Sequence, residues 1–257
     1  MTQPGSVVYI SYNAMPGQAL LGVLRDMMNT YTANMQADVL RKVKKGLSYL
    51  EFLRDNGAPF FEQNPLAVRV LEDLKRRDPK YLAHEYFTQH RRAFYVQEMA
   101  SLMDGHGFGF VGSLPLFKNV VELCAPSAFT ETLRGAKTRI QRETHSDMVC
   151  NGSFRRDLWV REPAKRVESE ELMAETIYGA VHPRFALGGE ASLDWLDLSY
   201  DSPLFGAILD YLSERSGTVE EVSVGVGEVG GGRAEVGYGL EVLSLGSQII
   251  PFLKTTR

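Results

Sequence analysis

Apolar and polar positions along this chain change period several times. Val7-Val8-Tyr9-Ile10 is an unbroken apolar run rich in β-branched and aromatic side chains, introduced by Pro4-Gly5. It predicts a strand apolar on both faces, the kind found inside a parallel sheet covered by helices. Ser11 to Gly17 is a turn-rich link where polar groups can gather at the strand's C-terminal end. The period then turns helical. Leu20, Leu21, Val23, Leu24, Met27 and Met28 predict a first helix. Val39, Leu40, Val43, Leu47, Leu50 and Leu53 make the apolar stripe of a second, ended by Asn56-Gly57 and Pro59. A third runs from Pro65 to Arg77, with Pro65 suited to a first-turn position and Asp78-Pro79 as a stop.

The stretch from Tyr81 to Tyr95 is aromatic and charged, and it carries His84-Glu85-Tyr86 and Arg91-Arg92. A helix from Tyr95 to Asp104 is closed by Gly105 and Gly107, and Phe108 to Val111 predicts a strand. Ser127 to Glu143 reads as one helix with Phe129, Leu133, Ala136 and Ile140 on a face, and Phe154 to Arg161 as another strand. Residues 164–171, after Pro163, read as a linker between a first part, 1–163, and a mainly helical C-terminal domain, 172–257. There Ser202 and Pro203 read as N-cap and first position of a helix carrying Leu204, Phe205, Ile208, Leu209 and Leu212. The tail closes on an apolar stretch, Leu240 to Leu253.

Charge sharpens this division. Residues 166–257 hold 6 basic and 15 acidic side chains, a balance of −9, and the rest of the chain holds 22 and 17, a balance of +5. An acidic C-terminal third excludes nucleic acid as its partner, because phosphate binding needs clustered Lys and Arg. The basic run Arg41-Lys42, Lys44-Lys45 is a solvated helix face. No apolar run reaches the length of a membrane span, and no signal peptide opens the chain. Cys124 and Cys150 form no metal or redox spacing and read as reduced thiols of a cytoplasmic protein.

Two motifs invite a chemical reading. Gly225, Gly227 and Gly230 satisfy G-x-G-x-x-G, and Val219 to Val224 before them reads as a strand. A nucleotide-binding half needs about two further β–α units after such a loop, and 27 residues remain after Gly230. Gly231-Gly232-Arg233 extends the run instead of opening a helix, so a flexible connection is the better reading. His84 and Glu85 are candidates for a base and its orienting group, though a structural role tying helices together has the larger claim. His90, His106, His145 and His182 stand alone, and no carboxylate or histidine lies at metal-ligand spacing.

The residues from Pro4 to Gly17 (PGSVVYISYNAMPG) resemble the fifth-strand region of bacterial S-adenosylmethionine-dependent methyltransferases that carry a predicted methyltransferase regulatory domain. Tyr81-Leu82-Ala83-His84-Glu85-Tyr86, Phe94 to Met99, Gly107 to Gly112 and Phe154 to Arg161 continue the likeness in family order. Gln18 stands where that family often has Trp, and Ala93 where it tends to have Pro.

The resemblance implies a mixed α/β, mostly helical chain. Its first part would be the rear half of a class I, Rossmann-like sheet: a fifth strand and helix, a sixth strand, then an antiparallel seventh. A helical regulatory insert would lie at about 36–117, and a winged-helix-like domain would follow. It further implies a transferase family that uses S-adenosylmethionine, with some members acting on protein lysine. The loop after the first strand and the acidic residue ending the second, which hold the cofactor in this fold, have no counterpart here. The expectation is therefore a truncated, non-catalytic regulatory or substrate-docking piece, with no cofactor or metal bound by this chain alone. Its partners would be a methyltransferase catalytic domain or a protein substrate, and not a membrane, with self-association through the N-terminal strand. Tyr12, Asn13, His84, Glu85 and Tyr86 are the candidates for the substrate side. The alternatives are the C-terminal fragment of an intact methyltransferase, or a helical protein-interaction module.

Overall fold

The computed structural model describes residues 2–88, 91–164, 169–179 and 190–253. Two compact units share the chain: residues 11–99 with 143–155, and residues 1–10, 100–142 and 156–257.

The first of these is built on helices α1 (Ala19–Thr32), α2 (Val39–Asp55), α3 (Pro59–Gln63), α4 (Pro65–Arg76) and α5 (Pro79–Tyr86). Their apolar stripes meet in one core, in which Leu24, Leu50, Leu71 and Leu82 are fully buried. Asp38 caps α2 by accepting from the Arg41 N–H at 2.9 Å. Two punctuation signals each do more than end a helix. Pro59 opens α3 as well as following α2, and Asp78 accepts from the Lys80 N–H at 2.6 Å, so Asp78-Pro79 is the cap and first position of α5.

A three-stranded sheet carries β1 (Val7–Asn13), β2 (Phe108–Ser113) and β3 (Phe154–Arg161) in the order β1-β3-β2, and α6 (Val96–Gly105) precedes β2. β2 runs antiparallel to β3, from Phe108 opposite Arg161 to Ser113 opposite Asp157, with an irregularity between Phe110 and Gly112. At one end of β1 the Gly5 N–H donates to the Arg161 carbonyl, and at the other the Ala14 N–H donates to the Ser153 carbonyl, so this pair is antiparallel too. β1 and β2 therefore point the same way, and β3 opposes both. The expected strand is present but is not apolar-buried on both faces. It is an edge strand, and Val7 and Tyr9 are 64% and 52% exposed while Tyr12 is buried. Trp159 of β3 is buried edge-on to Phe110, with centroids 5.1 Å apart.

The helix expected over Ser127 to Glu143 is broken. A 3-10 turn at Ser127–Phe129 leads into α7 (Thr130–Arg134), and α8 (Arg139–Cys150) follows separately. Gly135 closes α7 on the Glu131 carbonyl, and the Thr138 hydroxyl accepts from the Gln141 N–H at 3.1 Å, which starts α8 afresh.

The C-terminal region is helical with two small antiparallel ladders. It runs α9 (Ser169–Glu175), β4 (Thr176–Gly179), β5 (Glu190–Ser192), β6 (Asp197–Ser199), α10 (Pro203–Glu214), α11 (Val219–Val226), α12 (Arg233–Leu245) and β7 (Ile250–Leu253). β4 pairs with β7 and β5 with β6. Ile208, Val222, Val236, Leu240 and Leu243 lead its core. Residues 165–168 of the expected linker lie outside the described residues, and its end is already helical in α9.

Val219 to Val224 is a helix and not the expected strand. Thr218 and Glu221 form a reciprocal capping box, each side chain accepting from the other's N–H, at 2.8 and 3.3 Å. The glycine run after it forms a 3-10 turn, Gly227–Gly230, between two helices: Gly227 ends α11 at φ +58°, and Arg233 opens α12. Among the described residues no helix is long and apolar enough to cross a membrane.

Candidate functional site

The carboxyl end of a sheet strand is where α/β folds gather ligands, and the end of β1 is held in a dense polar setting. The Phe94 N–H donates to the Asn13 carbonyl and the Met15 N–H to the Phe94 carbonyl, each at 3.0 Å, so the segment around Phe94 runs beside the strand end. Tyr12 is buried edge-on to Phe94 at 6.3 Å between centroids. Gly17 donates to the Gly152 carbonyl at 2.9 Å, and a Cβ there would run into the Asn151 carbonyl, so only glycine allows this approach.

Gln18 links three parts of this unit. It is buried, its Nε2 donates to the Ser153 carbonyl at 3.1 Å, and its Oε1 accepts from Arg91 Nη2 at 3.1 Å. The Arg91 guanidinium lies over the Tyr86 ring, 4.8 Å from its centroid, and its Nε sits 3.6 Å from Glu85 Oε2. Tyr86 is buried, and burial pushes its phenol up while the Arg91 charge opposes the shift. The Tyr86 carbonyl accepts from Arg25 Nε at 3.2 Å and from Asn29 Nδ2 at 2.8 Å, and Arg25 Nη2 donates to the Thr88 carbonyl at 2.8 Å. Arg92 lies over the Phe94 ring at 4.6 Å and pairs with Glu98 at 2.9 Å.

Of the five residues singled out from sequence, Tyr12 and Asn13 meet Phe94, and Glu85 and Tyr86 meet Arg91. His84 joins neither group; it is exposed, and Glu85 faces Arg91 instead of orienting it. Gln18, Arg25, Asn29 and Arg91 are the polar residues that sequence reading did not place here. Only Arg91 carried a visible signal, as half of an Arg-Arg pair beside aromatic residues. His106 bonds its own helix through the Leu102 carbonyl at 2.8 Å. His90 and His182 lie outside the described residues.

This arrangement braces the strand end, with Gln18 and Tyr86 buried and the Arg91 side chain 11% exposed. The guanidinium over the phenol, with a carboxylate beside it, makes its cation and ring contacts within the unit. The arrangement does not pair a nucleophile with a base. No group of three or more His, Cys, Asp or Glu able to hold a metal occurs among the described residues. The glycine run at 225–230 does not fit a cofactor cradle either, because it follows a helix and not a strand, and Gly225 has no room for a side chain beneath the Tyr211 ring.

A second polar cluster holds the turn from α8 to β3. Arg155, buried, donates from Nη2 to Glu143 at 2.8 Å and from Nη1 to both Asp147 oxygens at 2.9 and 3.0 Å.

Comparison with known proteins places these features. Residues 78–161, from the cap of α5 to the last residue of β3, match a predicted methyltransferase regulatory domain. An uncharacterized protein of Synechocystis is 35% identical over 170 residues, covering 66% of this chain and 34% of that protein. An uncharacterized protein of Rickettsia prowazekii is 22% identical over 156 residues, covering 59% of this chain and 27% of that protein. The fold is similar to that of PKMT2 from Rickettsia typhi, at a TM-score of 0.61 and 16% identity over 97% of this chain and 52% of that one. The same protein in complex with AdoHcy gives 0.61 and 17%, over 98% and 53%. The chain thus spans about a quarter to a third of the length of these curated relatives and about half of the solved structures.

Proposed function

We propose that this chain, which carries a predicted methyltransferase regulatory domain over residues 78–161, is the regulatory and substrate-docking part of an S-adenosylmethionine-dependent methyltransferase. Its acceptor is a protein, with lysine as the methylated side chain, and the cofactor is held by another segment or chain. The observation that carries this reading is the sheet: β1 and β2 point the same way, and β3, last in sequence, opposes both. That is the pattern of a fifth, a sixth and an antiparallel seventh strand at the rear of a class I methyltransferase. The helices between β1 and β2 support a regulatory insert, and three helices with a short β4–β7 ladder support a winged-helix-like C-terminal domain.

AdoHcy, seen with PKMT2, is what S-adenosylmethionine becomes once its methyl group has left. In that chemistry the acceptor must be held in line with the departing methyl, and positioning supplies much of the rate. The strand end at Tyr12 to Gln18, braced by Arg91 and Tyr86, supplies such positioning on the acceptor's side. Gln18 and Arg91 fix the strand end against the β3 side through Ser153. The free edge of β1 gives the chain a surface for pairing with a further strand, either of the catalytic part or of a second copy.

Methyl transfer from radiolabelled S-adenosylmethionine to a lysine-rich protein tests the division of labour. The purified chain alone is expected to give no incorporation above a protein-free control. Sustained incorporation by the chain alone overturns the non-catalytic reading.

A further inference from the structure

A cavity of about 280 Å³ lies in the helical unit, where the end of α1 meets the start of α2. Ala33, Ala37, Val39 and Phe87 make most of its wall apolar. Asn29 and Thr32 line it too, but their hydrogens are already placed. Asn29 Nδ2 donates to the Arg25 and Tyr86 carbonyls at 2.9 and 2.8 Å, and Thr32 Oγ1 to the Met28 carbonyl at 2.8 Å. That leaves Lys42 as the lining side chain with hydrogens to give, and no carboxylate lines the cavity among the described residues.

Lys42 departs from its neighbours. Arg41, Lys44 and Lys45 are exposed, as a solvated helix face requires, while Lys42 is half-buried. Among the described residues none of the four makes an ion pair. The carboxylates further along α2 are engaged elsewhere, Glu51 with Lys75 and Asp55 with Arg54, each at 2.7 Å. Asp38 is spent on the Arg41 N–H as the cap. A half-buried cation without a counter-ion gives up hydration for nothing inside the chain. Helix geometry sets what lies beside it. At about 100° per residue, Arg41, Lys45, Lys42 and Val39 follow one another around about 160° of α2, and Lys44 falls on the side away from the cavity.

These features select the occupant. The volume suits a single side chain, since sites for whole small molecules run from about 300 to 1,000 Å³. An apolar wall that ends in a cation fits an anion carried on an aliphatic stem, which describes a glutamate side chain. Arg41 and Lys45 beside the mouth complement further negative charge next to that glutamate. A nucleic-acid backbone supplies the charge without the stem.

We propose that this cavity docks an acidic peptide segment, with one glutamate side chain entering toward Lys42 and its acidic neighbours set against Arg41 and Lys45. The site is built on α1 and α2 and binding requires no methyl transfer, so it can fail while the methyltransferase reading stands.

Fluorescence anisotropy with the full chain tests it, using three labelled probes: a Glu-Glu-Ser repeat peptide, a Lys-Lys-Ser repeat peptide and a single-stranded RNA of similar length. The glutamate peptide is expected to bind most tightly, and to weaken as salt is raised. Lys42→Gln keeps the stem and removes the charge, and is expected to weaken binding about tenfold, some 1.4 kcal/mol. Lys44→Gln removes the same charge from the side away from the cavity, and is expected to weaken it by less than about twofold. Ala33→Trp, at an exposed position, obstructs the cavity with every charge kept, and is also expected to weaken binding about tenfold. Equal losses for Lys42→Gln and Lys44→Gln, RNA or the lysine peptide binding as tightly as the glutamate peptide, or no binding of the glutamate peptide up to about 1 mM overturns the proposal. If Ala33→Trp lowers the melting temperature, the two lysine variants decide alone.

Discussion

Arg91 donates to Gln18 at 3.1 Å across 73 positions of sequence, and this one bond ties the segment after α5 to the end of β1. The other end of the same amide donates to the Ser153 carbonyl. Gln18→Leu keeps the volume but removes one of the two bonds to the Ser153 carbonyl, which keeps its bond from the Ala14 N–H, and leaves part of the Arg91 guanidinium unpaired. It is expected to lower stability by about 1 to 3 kcal/mol in urea denaturation. Arg91→Lys is expected to cost nearly as much as Arg91→Ala, because an ammonium neither stacks flat on Tyr86 nor reaches Gln18 with the same fork. If Arg91→Lys behaves as wild type, the stacked geometry does not matter.

Arg155 holds two buried or nearly buried carboxylates, with its own side chain 6% exposed and those of Glu143 and Asp147 5% and 12% exposed. Removing the cation leaves negative charge without its main counter-ion. Arg155→Met is expected to destabilise the chain by about 3 to 5 kcal/mol. Adding Glu143→Gln is expected to recover part of that loss. A loss below about 1 kcal/mol in thermal melts would show the cluster to be solvated.

Tyr200 sets an alkaline limit. Burial pushes its phenol up to about 12, with a contact from Gln248 opposing. The unfolded chain ionises this group near 10, so between about 10 and 12 the unfolded state loses the proton first. The contribution is therefore intact below pH 10 and is lost as pH rises through 12, by up to about 2 to 3 kcal/mol. Urea melts of wild type and Tyr200→Phe at pH 9 and pH 11 are expected to converge in the mutant's favour at the higher value. A parallel fall in both proteins would assign the alkaline loss elsewhere.

Exposed Val7 and Tyr9 on a strand paired on one side predict association of the isolated chain through β1. Light scattering is expected to find species above the monomer that Tyr9→Lys reduces. A wild-type monomer at all concentrations, with slowly exchanging amides over Val7 to Ile10, would contradict this.

Much of the fold was legible because strands and amphipathic helices leave a periodic trace. β1, β2 and β3 and helices α1, α2 and α4 all follow from apolar spacing. α5 was missed although Leu82 and Tyr86, four apart, are its buried positions, because aromatic and charged neighbours drowned that short signal. α11 was misread as a strand because Val at 219, 222, 224 and 226 suits either period, and the T-x-x-E cap was the clue that decided it. The strand-end cluster was half visible. Adjacency misled at His84-Glu85, since neighbours on a helix point roughly 100° apart. The Gln18–Arg91 bond had no trace at all: a side-chain bond between distant segments has no period.

In the function proposed above, this chain supplies the acceptor side of a methyltransferase while the cofactor is held elsewhere. Calorimetric titration of S-adenosylmethionine into the purified chain tests this most directly, with PKMT2 from Rickettsia typhi titrated in parallel as a positive control. Saturable heat is expected for PKMT2 and none for this chain up to about 1 mM. A stoichiometric, micromolar isotherm for this chain alone would contradict it.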